Sequence, residues 1–260
     1  MPILNFNNVS VRFGGVVALD GVSFDVEARQ IVGLIGPNGA GKTTLFNCLS
    51  RLYTPNRGEI TFNGTPLLPL RPHAIAALGI GRTFQNLALF PRMSVVQNVM
   101  VGMHPRTHAG FISSALRLGW VERENAASHR AAMQLLDFLG LVSLADRPAA
   151  DLPFVLLKRL ELARALAGEP SLLLLDEPAS GLNHDEVHEL ATLIRRLRDE
   201  RELTILLVEH HMGLVMQVSD KVVVLDFGRR IAQGPPAEVQ RDREVLRAYL
   251  GLPEAAAESR

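Results

Sequence analysis

The chain has no excess of charge of either sign: Lys plus Arg and Asp plus Glu both total 27, so its formal net charge is zero. A nucleic-acid binder ordinarily carries a basic footprint to meet phosphates, so DNA and RNA are not expected partners. Cysteine is nearly absent as well. A single thiol, Cys48, cannot build a disulfide framework or a zinc site within one chain, and it reads as a small buried apolar residue. The N-terminus, Met1-Pro2-Ile3-Leu4-Asn5-Phe6, has neither a basic leader nor a long apolar stretch, which predicts a chain that is not exported. No apolar run approaches the roughly 20 residues that a membrane-spanning helix needs. The chain therefore reads as soluble, with any membrane role supplied through a partner. His104 and His108 stand in a breaker-rich stretch, 102–110, without cysteine or carboxylate neighbours, and read as solvated loop residues, not metal ligands.

What is present is a sheet-forming pattern. With 260 residues the chain can bury a substantial core. The apolar runs 31–35, 172–175 and 205–208 are bounded by polar or glycine-rich turns and alternate with longer helix-like segments. That pattern predicts parallel strands buried on both faces of an α/β sheet. A fourth run, 222–225, precedes Asp226-Phe227-Gly228-Arg229, whose glycine suits a hairpin into a further strand. The stretches 9–13, 18–26 and 59–63 are short, alternating and punctuated by glycine, which predicts an antiparallel layer beside the main sheet. From about 91 to 167 strand signals give way to helical spacing, as over 122–139, so a helical subdomain is expected there. The expected organisation is an α/β core with its antiparallel β layer from 1–90 and 168–240, the helical insert 91–167, and a C-terminal helix and frayed tail over 241–260.

Residues Gly36-Pro37-Asn38-Gly39-Ala40-Gly41-Lys42-Thr43-Thr44 form a complete phosphate-binding loop between an apolar strand and a helical pattern. Its glycines let successive N–H groups turn inward around phosphates, Lys42 supplies a point charge and Thr43 a hydroxyl for magnesium. The run 172–175 ends in Asp176-Glu177. In a P-loop nucleotidase the first acid would hold Mg2+ and the second could deprotonate the attacking water, the alternative being that Glu177 only caps the following turn.

In this order and spacing the motifs resemble the ATP-binding subunit of an ABC transporter, from Phe13 to about Leu250. The resemblance implies a P-loop (RecA-like) α/β core with an antiparallel β layer and an inserted helical subdomain, and ATP and Mg2+ as the ligands. It places Phe13 as an aromatic stacking on adenine, the other reading being a core phenylalanine. It also places Gln85, within Arg82-Thr83-Phe84-Gln85-Asn86, as the glutamine reaching the metal and the attacking water. Ala179-Ser180-Gly181-Leu182-Asn183 takes the place of the dimer-contact loop. His210, after Val208-Glu209, takes that of the switch histidine at the γ-phosphate, and the adjacent His211 receives no role. Residues 82–101 and the ending Ala248-Tyr249-Leu250-Gly251 look most like the larger ATPase subunit of bacterial branched-chain amino acid importers. That implies a second ATPase subunit, two membrane permeases that Leu87, Leu89, Phe90 and Met93 could meet, and a periplasmic binding protein. Alternatives are a lipopolysaccharide-export ATPase, a soluble ATP-driven clamp, and a nucleotide-binding regulatory subunit. The clamp usually has paired cassettes or long coiled coils, which this sequence lacks.

The chain departs from the family's pattern at Leu152-Pro153-Phe154-Val155-Leu156-Leu157. Relatives carry a glycine and a glutamine where Val155 and Leu157 stand, at the helix tip that closes over ATP held by the opposite subunit. A branched side chain and a lost amide at that tip predict an impaired site on a different partner ATPase, or impairment at both sites if the chain forms a homodimer, while this chain's own phosphate loop is intact.

Overall fold

The computed structural model describes residues 2–83, 87–106 and 119–250. The chain divides into two compact units, one formed by Met1–Ile75 with Leu174–Arg260 and the other by Ala76–Leu173.

The first unit opens with an antiparallel sheet. Strands β1 (Leu4–Phe13) and β2 (Val16–Val26) bury one face, with Leu4, Phe6, Val9 and Val11 against Leu19, Val22, Phe24 and Val26. That alternation is the period of 2 expected of a half-buried strand. Phe6 pairs with Phe24 in register, and their rings stack with centroids 4.5 Å apart. The second sheet is of the opposite kind. Strand β3 (Ile31–Ile35) is buried at every position, as parallel strands covered on both faces must be. Helix α1 (Lys42–Leu49) follows β3 directly through the phosphate loop. Strands β4 (Arg57–Phe62) and β5 (Thr65–Pro66) complete the antiparallel sheet in the order β2-β1-β4-β5. Helix α2 (Pro72–Ala77) leads out of this unit.

Among the described residues of the second unit a short strand, β6 (Ile80–Arg82), precedes the helices α3 (Val95–Gly102), α4 (Gly119–Phe138) and α5 (Phe154–Leu166). This unit contains the 91–167 stretch of helical spacing and extends beyond it on both sides. The strand β6 was not read from the sequence, because three residues carry too little periodicity to register. Ser94 and Gln97 close a reciprocal capping box at the start of α3. The core of this unit joins Val95, Val96 and Val99 with Leu135 and Leu136 of α4 and Leu160, Leu162 and Leu166 of α5. Fully buried Asn98 donates to the carbonyls of Phe90, Met93 and Ser94 and accepts from the Phe90 N–H at 2.8 Å. That clamp fixes the backbone of 90–94 while the Phe90 and Met93 side chains stay exposed.

Strand β7 (Leu172–Asp176) carries the chain back into the first unit. Helix α6 (His184–Arg201) is capped by Asn183, whose side chain accepts from the Glu186 N–H while Glu186 accepts from the Asn183 N–H at 2.8 Å. Val187, Ala191, Ile194 and Leu197 form its buried stripe at helical spacing. Strand β8 (Thr204–Val208), helix α7 (Met212–Val218) and the hairpin of β9 (Lys221–Asp226) and β10 (Arg229–Gly234) follow. Helices α8 (Pro236–Val239) and α9 (Arg243–Leu250) end the described chain. The strand order in this unit is β10-β9-β3-β8-β7, with β3 parallel to both β8 and β9. The α/β sheet and the antiparallel layer expected from the apolar runs are therefore both present. The Lys221 ammonium donates to the Asp25 carboxylate and carbonyl, both at 2.9 Å, which ties β9 to β2.

Candidate nucleotide site

In an open sheet of this kind ligands gather beyond the carboxyl ends of the strands. The central strand β3 delivers the phosphate loop at that edge. Ala40 is buried while Asn38, Gly39 and Thr43 face outward. The loop is held from behind: the Gly228 N–H of the β9–β10 hairpin donates to the Ala40 carbonyl at 3.1 Å, and the Asp20 N–H donates to the Gly228 carbonyl at 2.8 Å. The same hairpin is fixed to β2 by the Arg229–Asp20 ion pair at 2.7 Å. Gly41 caps α1 with φ 100°, and a Cβ there would fall 2.5 Å from the Ala18 carbonyl oxygen and 2.7 Å from Leu19 Cδ2. Only glycine fits that approach. The loop's amides and the start of α1 thus form a rigid anion cradle.

Lys42 is buried, and its ammonium donates to the carbonyls of Gly36 at 2.7 Å and Pro37 at 3.0 Å. Burial lowers its pKa, and the nearby Glu177 carboxylate partly restores it. That influence puts Glu177 within electrostatic reach of the loop lysine. Tyr249 of α9 also reaches the loop through a hydrogen bond to the Gly36 backbone, which opposes the upward push of burial on its phenol.

Neighbouring strands supply the other groups. Strand β7 ends in buried Asp176 and then Glu177, whose backbone is left-handed at φ 47°. That conformation is uncommon for a residue with a side chain, and it is held by the Glu177 N–H donating to the Val208 carbonyl at 2.9 Å. The Ser180 N–H in turn donates to the Glu177 carbonyl at 3.1 Å. Strand β8 ends at Val208, and Glu209 and His210 follow it. The His210 side chain is 60% exposed, whereas Glu209 is fully buried. His211 caps α7, its Nδ1 accepting from the Leu214 N–H at 3.2 Å.

Phe13 ends β1 half-exposed, packed edge to face against Tyr53 with centroids 5.1 Å apart. It is not a core residue. A half-free ring face suits stacking on a base. Thr43 and Asp176 contribute a hydroxyl and a buried carboxylate, the hard oxygen donors that Mg2+ takes alongside phosphate oxygens. Among the described residues no group of three or more His, Cys, Asp or Glu is placed to hold a metal ion. Gln85 lies outside the described residues, as does part of the 102–110 loop. In the second unit the altered tip, Val155 and Leu157, falls in the first turn of α5, where the Leu156 and Leu157 N–H groups already donate to the Pro153 carbonyl at 3.0 Å. No side chain caps this helix, and exposed Phe154 carries the Lys158 ammonium 5.7 Å above its ring.

Two groups at this edge were not anticipated from the sequence as parts of the site. Glu209 follows a strand buried at every position, and a carboxylate in that place is a signal in itself. The hairpin glycine Gly228 signals only a turn in the sequence, and its bond to the phosphate loop depends on a tertiary approach that no local pattern encodes.

A phosphate loop between a buried parallel strand and a helix, beside strand ends bearing two acids and a histidine, defines a P-loop nucleoside triphosphatase. The ABC transporter family profile matches residues 19–180, and a C-terminal profile described as branched-chain amino acid ATP-binding cassette transporter matches 229–254. The chain belongs to the ABC transporter family as an ATP-binding cassette, and its homologues hydrolyse ATP to power transport. It is 43% identical over 250 residues to the high-affinity branched-chain amino acid transport ATP-binding protein LivG of Salmonella typhimurium, covering 96% of this chain and 98% of that protein. It is 41% identical to BraF of Pseudomonas aeruginosa, a protein of the same description, with the same coverage. An ATP-binding cassette of an ABC transporter solved in its ADP conformation superimposes with a TM-score of 0.83 at 30% identity, covering 97% of this chain and 100% of that one.

Proposed function

We propose that this chain is the ATP-hydrolysing subunit of a bacterial importer for branched-chain or other hydrophobic amino acids, seated peripherally on the cytoplasmic face of the membrane. The observation that carries this reading is the 41–43% identity, over 96% of the chain, to ATP-binding proteins described as serving high-affinity branched-chain amino acid transport. The transport partners are two permeases, a second and different ATPase subunit, and a periplasmic binding protein that supplies the solute.

The mechanism follows from the strand ends. Phe13 stacks on the adenine, and the amides of residues 36–44 with the Lys42 ammonium hold the β- and γ-phosphates. Thr43 and Asp176 would hold Mg2+, and Gln85 would be a further contact. The metal, when bound, neutralises charge that builds on the phosphate oxygens. The Glu177 carboxylate accepts a proton from the attacking water, and His210 contacts the γ-phosphate. A dimer of cassettes closes on ATP and opens after hydrolysis. Because the tip at Val155 and Leu157 serves the partner's site, hydrolysis is concentrated at the site built on this chain's own loop.

The test is purification of the chain with its membrane partners, followed by uptake and ATPase assays with Glu177→Gln alongside the wild type. Turnover and branched-chain amino acid uptake should both be lost in the variant while ATP still binds. Undiminished turnover in Glu177→Gln would remove that residue as the base, and uptake of an unrelated solute would remove the substrate assignment.

A further inference from the structure

The phosphate loop, acids and histidine account for hydrolysis, yet they leave a fully buried carboxylate unused. Glu209 is 0% exposed at the end of β8, and its oxygens collect three backbone donors. Oε1 accepts from the Ala179 N–H at 2.7 Å, and Oε2 accepts from the N–H groups of His210 at 3.0 Å and His211 at 3.1 Å. A buried charge of this kind is retained only where it is well paired, and these bonds pair it with two separate loops. One loop follows the acid Glu177 and the other carries His210. The adjacent bond from the Glu177 N–H to the Val208 carbonyl runs parallel to this one and joins the same two strand ends.

We infer that Glu209 is a positioning residue that mechanically couples the 177–181 loop to the switch loop of His210. A shift of His210 toward the γ-phosphate moves its own amide, the Glu209 carboxylate must follow or lose a charge-assisted bond, and the Ala179 amide is carried with it. The loop that includes Ala179 and Ser180 therefore changes its setting according to what His210 touches, and the left-handed backbone of Glu177 is adjusted in the same movement. Glu209 itself has its hydrogen bonds to these loops and not to the phosphate loop, so it governs coupling and turnover, not nucleotide affinity. This rests on the ATPase reading above.

The test uses the full-length chain as wild type, Glu209→Gln and His210→Ala. Gln keeps the side chain's shape but turns an NH2 group toward one set of the three donors, and His210→Ala removes an exposed side chain without disturbing the core. ATP affinity is titrated first; a Kd within about twofold of wild type is expected in Glu209→Gln, and His210→Ala is compared at an ATP concentration that saturates it. Amide hydrogen exchange across 178–183 is then compared with and without Mg-ATP. Binding should slow exchange there by about threefold or more in the wild type and leave it almost unchanged in either variant. A wild-type response retained in His210→Ala, or in a folded Glu209→Gln, overturns the coupling, as does a wild type that binds ATP without any slowing. A wild-type chain that fails to bind ATP would overturn the ATPase reading instead.

Discussion

Alanine at Gly41 and at Gly39 should have unequal costs, although both glycines have positive φ, at 100° and 82°. An alanine held in left-handed backbone costs about 1–2 kcal/mol at either position. At Gly39 nothing lies within 4 Å of the added Cβ, so that strain is the whole effect. At Gly41 the Cβ meets the Ala18 carbonyl oxygen at 2.5 Å and the side chain of Leu19, which is itself fully buried and has nowhere to move. Overpacking of this kind adds about 1–3 kcal/mol. Gly39→Ala should therefore lose about 1–2 kcal/mol and Gly41→Ala about 2–5 kcal/mol, the second by summing the strain and overpacking costs. For a chain of this length each kcal/mol lowers the melting temperature by about 2–4 °C, so the two variants separate in a thermal melt. Denaturant titration without nucleotide gives the difference directly, provided the slope with denaturant is shared. Equal destabilisation of the two variants would refute the account, because it would mean that the loop relaxes freely away from β2 and is not braced by it.

Three other outcomes follow from the same physics. Burial pushes the Cys48 thiol up to about 12, with Arg51 opposing, so the native protein should resist alkylation at pH 8 while the unfolded chain reacts. The sign of the linkage follows: a raised pKa stabilises below the unfolded value and that stability is lost as pH rises toward the folded value, so wild type should lose stability relative to Cys48→Ala as the pH is raised above about 8.5. Phe90→Asp, at an exposed side chain on a backbone clamped by Asn98, should leave ATP binding by the isolated chain unchanged and abolish uptake by the assembled transporter, whereas normal uptake would remove Phe90 from the permease contact. Val155→Gly combined with Leu157→Gln should raise ATP turnover of the assembled complex several-fold, about 1 kcal/mol of barrier. No increase would show that the tip of α5 does not limit turnover.

The parts of the site that were legible in the sequence are those whose chemistry is local. The phosphate loop binds through backbone that must curl, so its glycines, Lys42 and Thr43 stand side by side and can be read without the fold. Asp176 and Glu177 close an apolar run that must be a buried strand, and the ends of such strands are where a sheet of this class gathers its ligands, whereas His210 is reached only through the family resemblance and the register after its strand. The residues that were not legible act through contacts between distant segments. Nothing near Gly228 in the chain shows that its N–H will meet the Ala40 carbonyl, because that bond requires the hairpin, β2 and the loop to be assembled already. Glu209 belongs to the same class: its meaning lies in the Ala179 amide, which is 30 residues away along the chain. Its position carried a signal nonetheless, since a carboxylate that extends a strand buried at every position must either break the strand's burial or find donors there. Reading such a residue as a demand for partners, before any partner is visible, turns an isolated acid into an expectation about which loops must approach it.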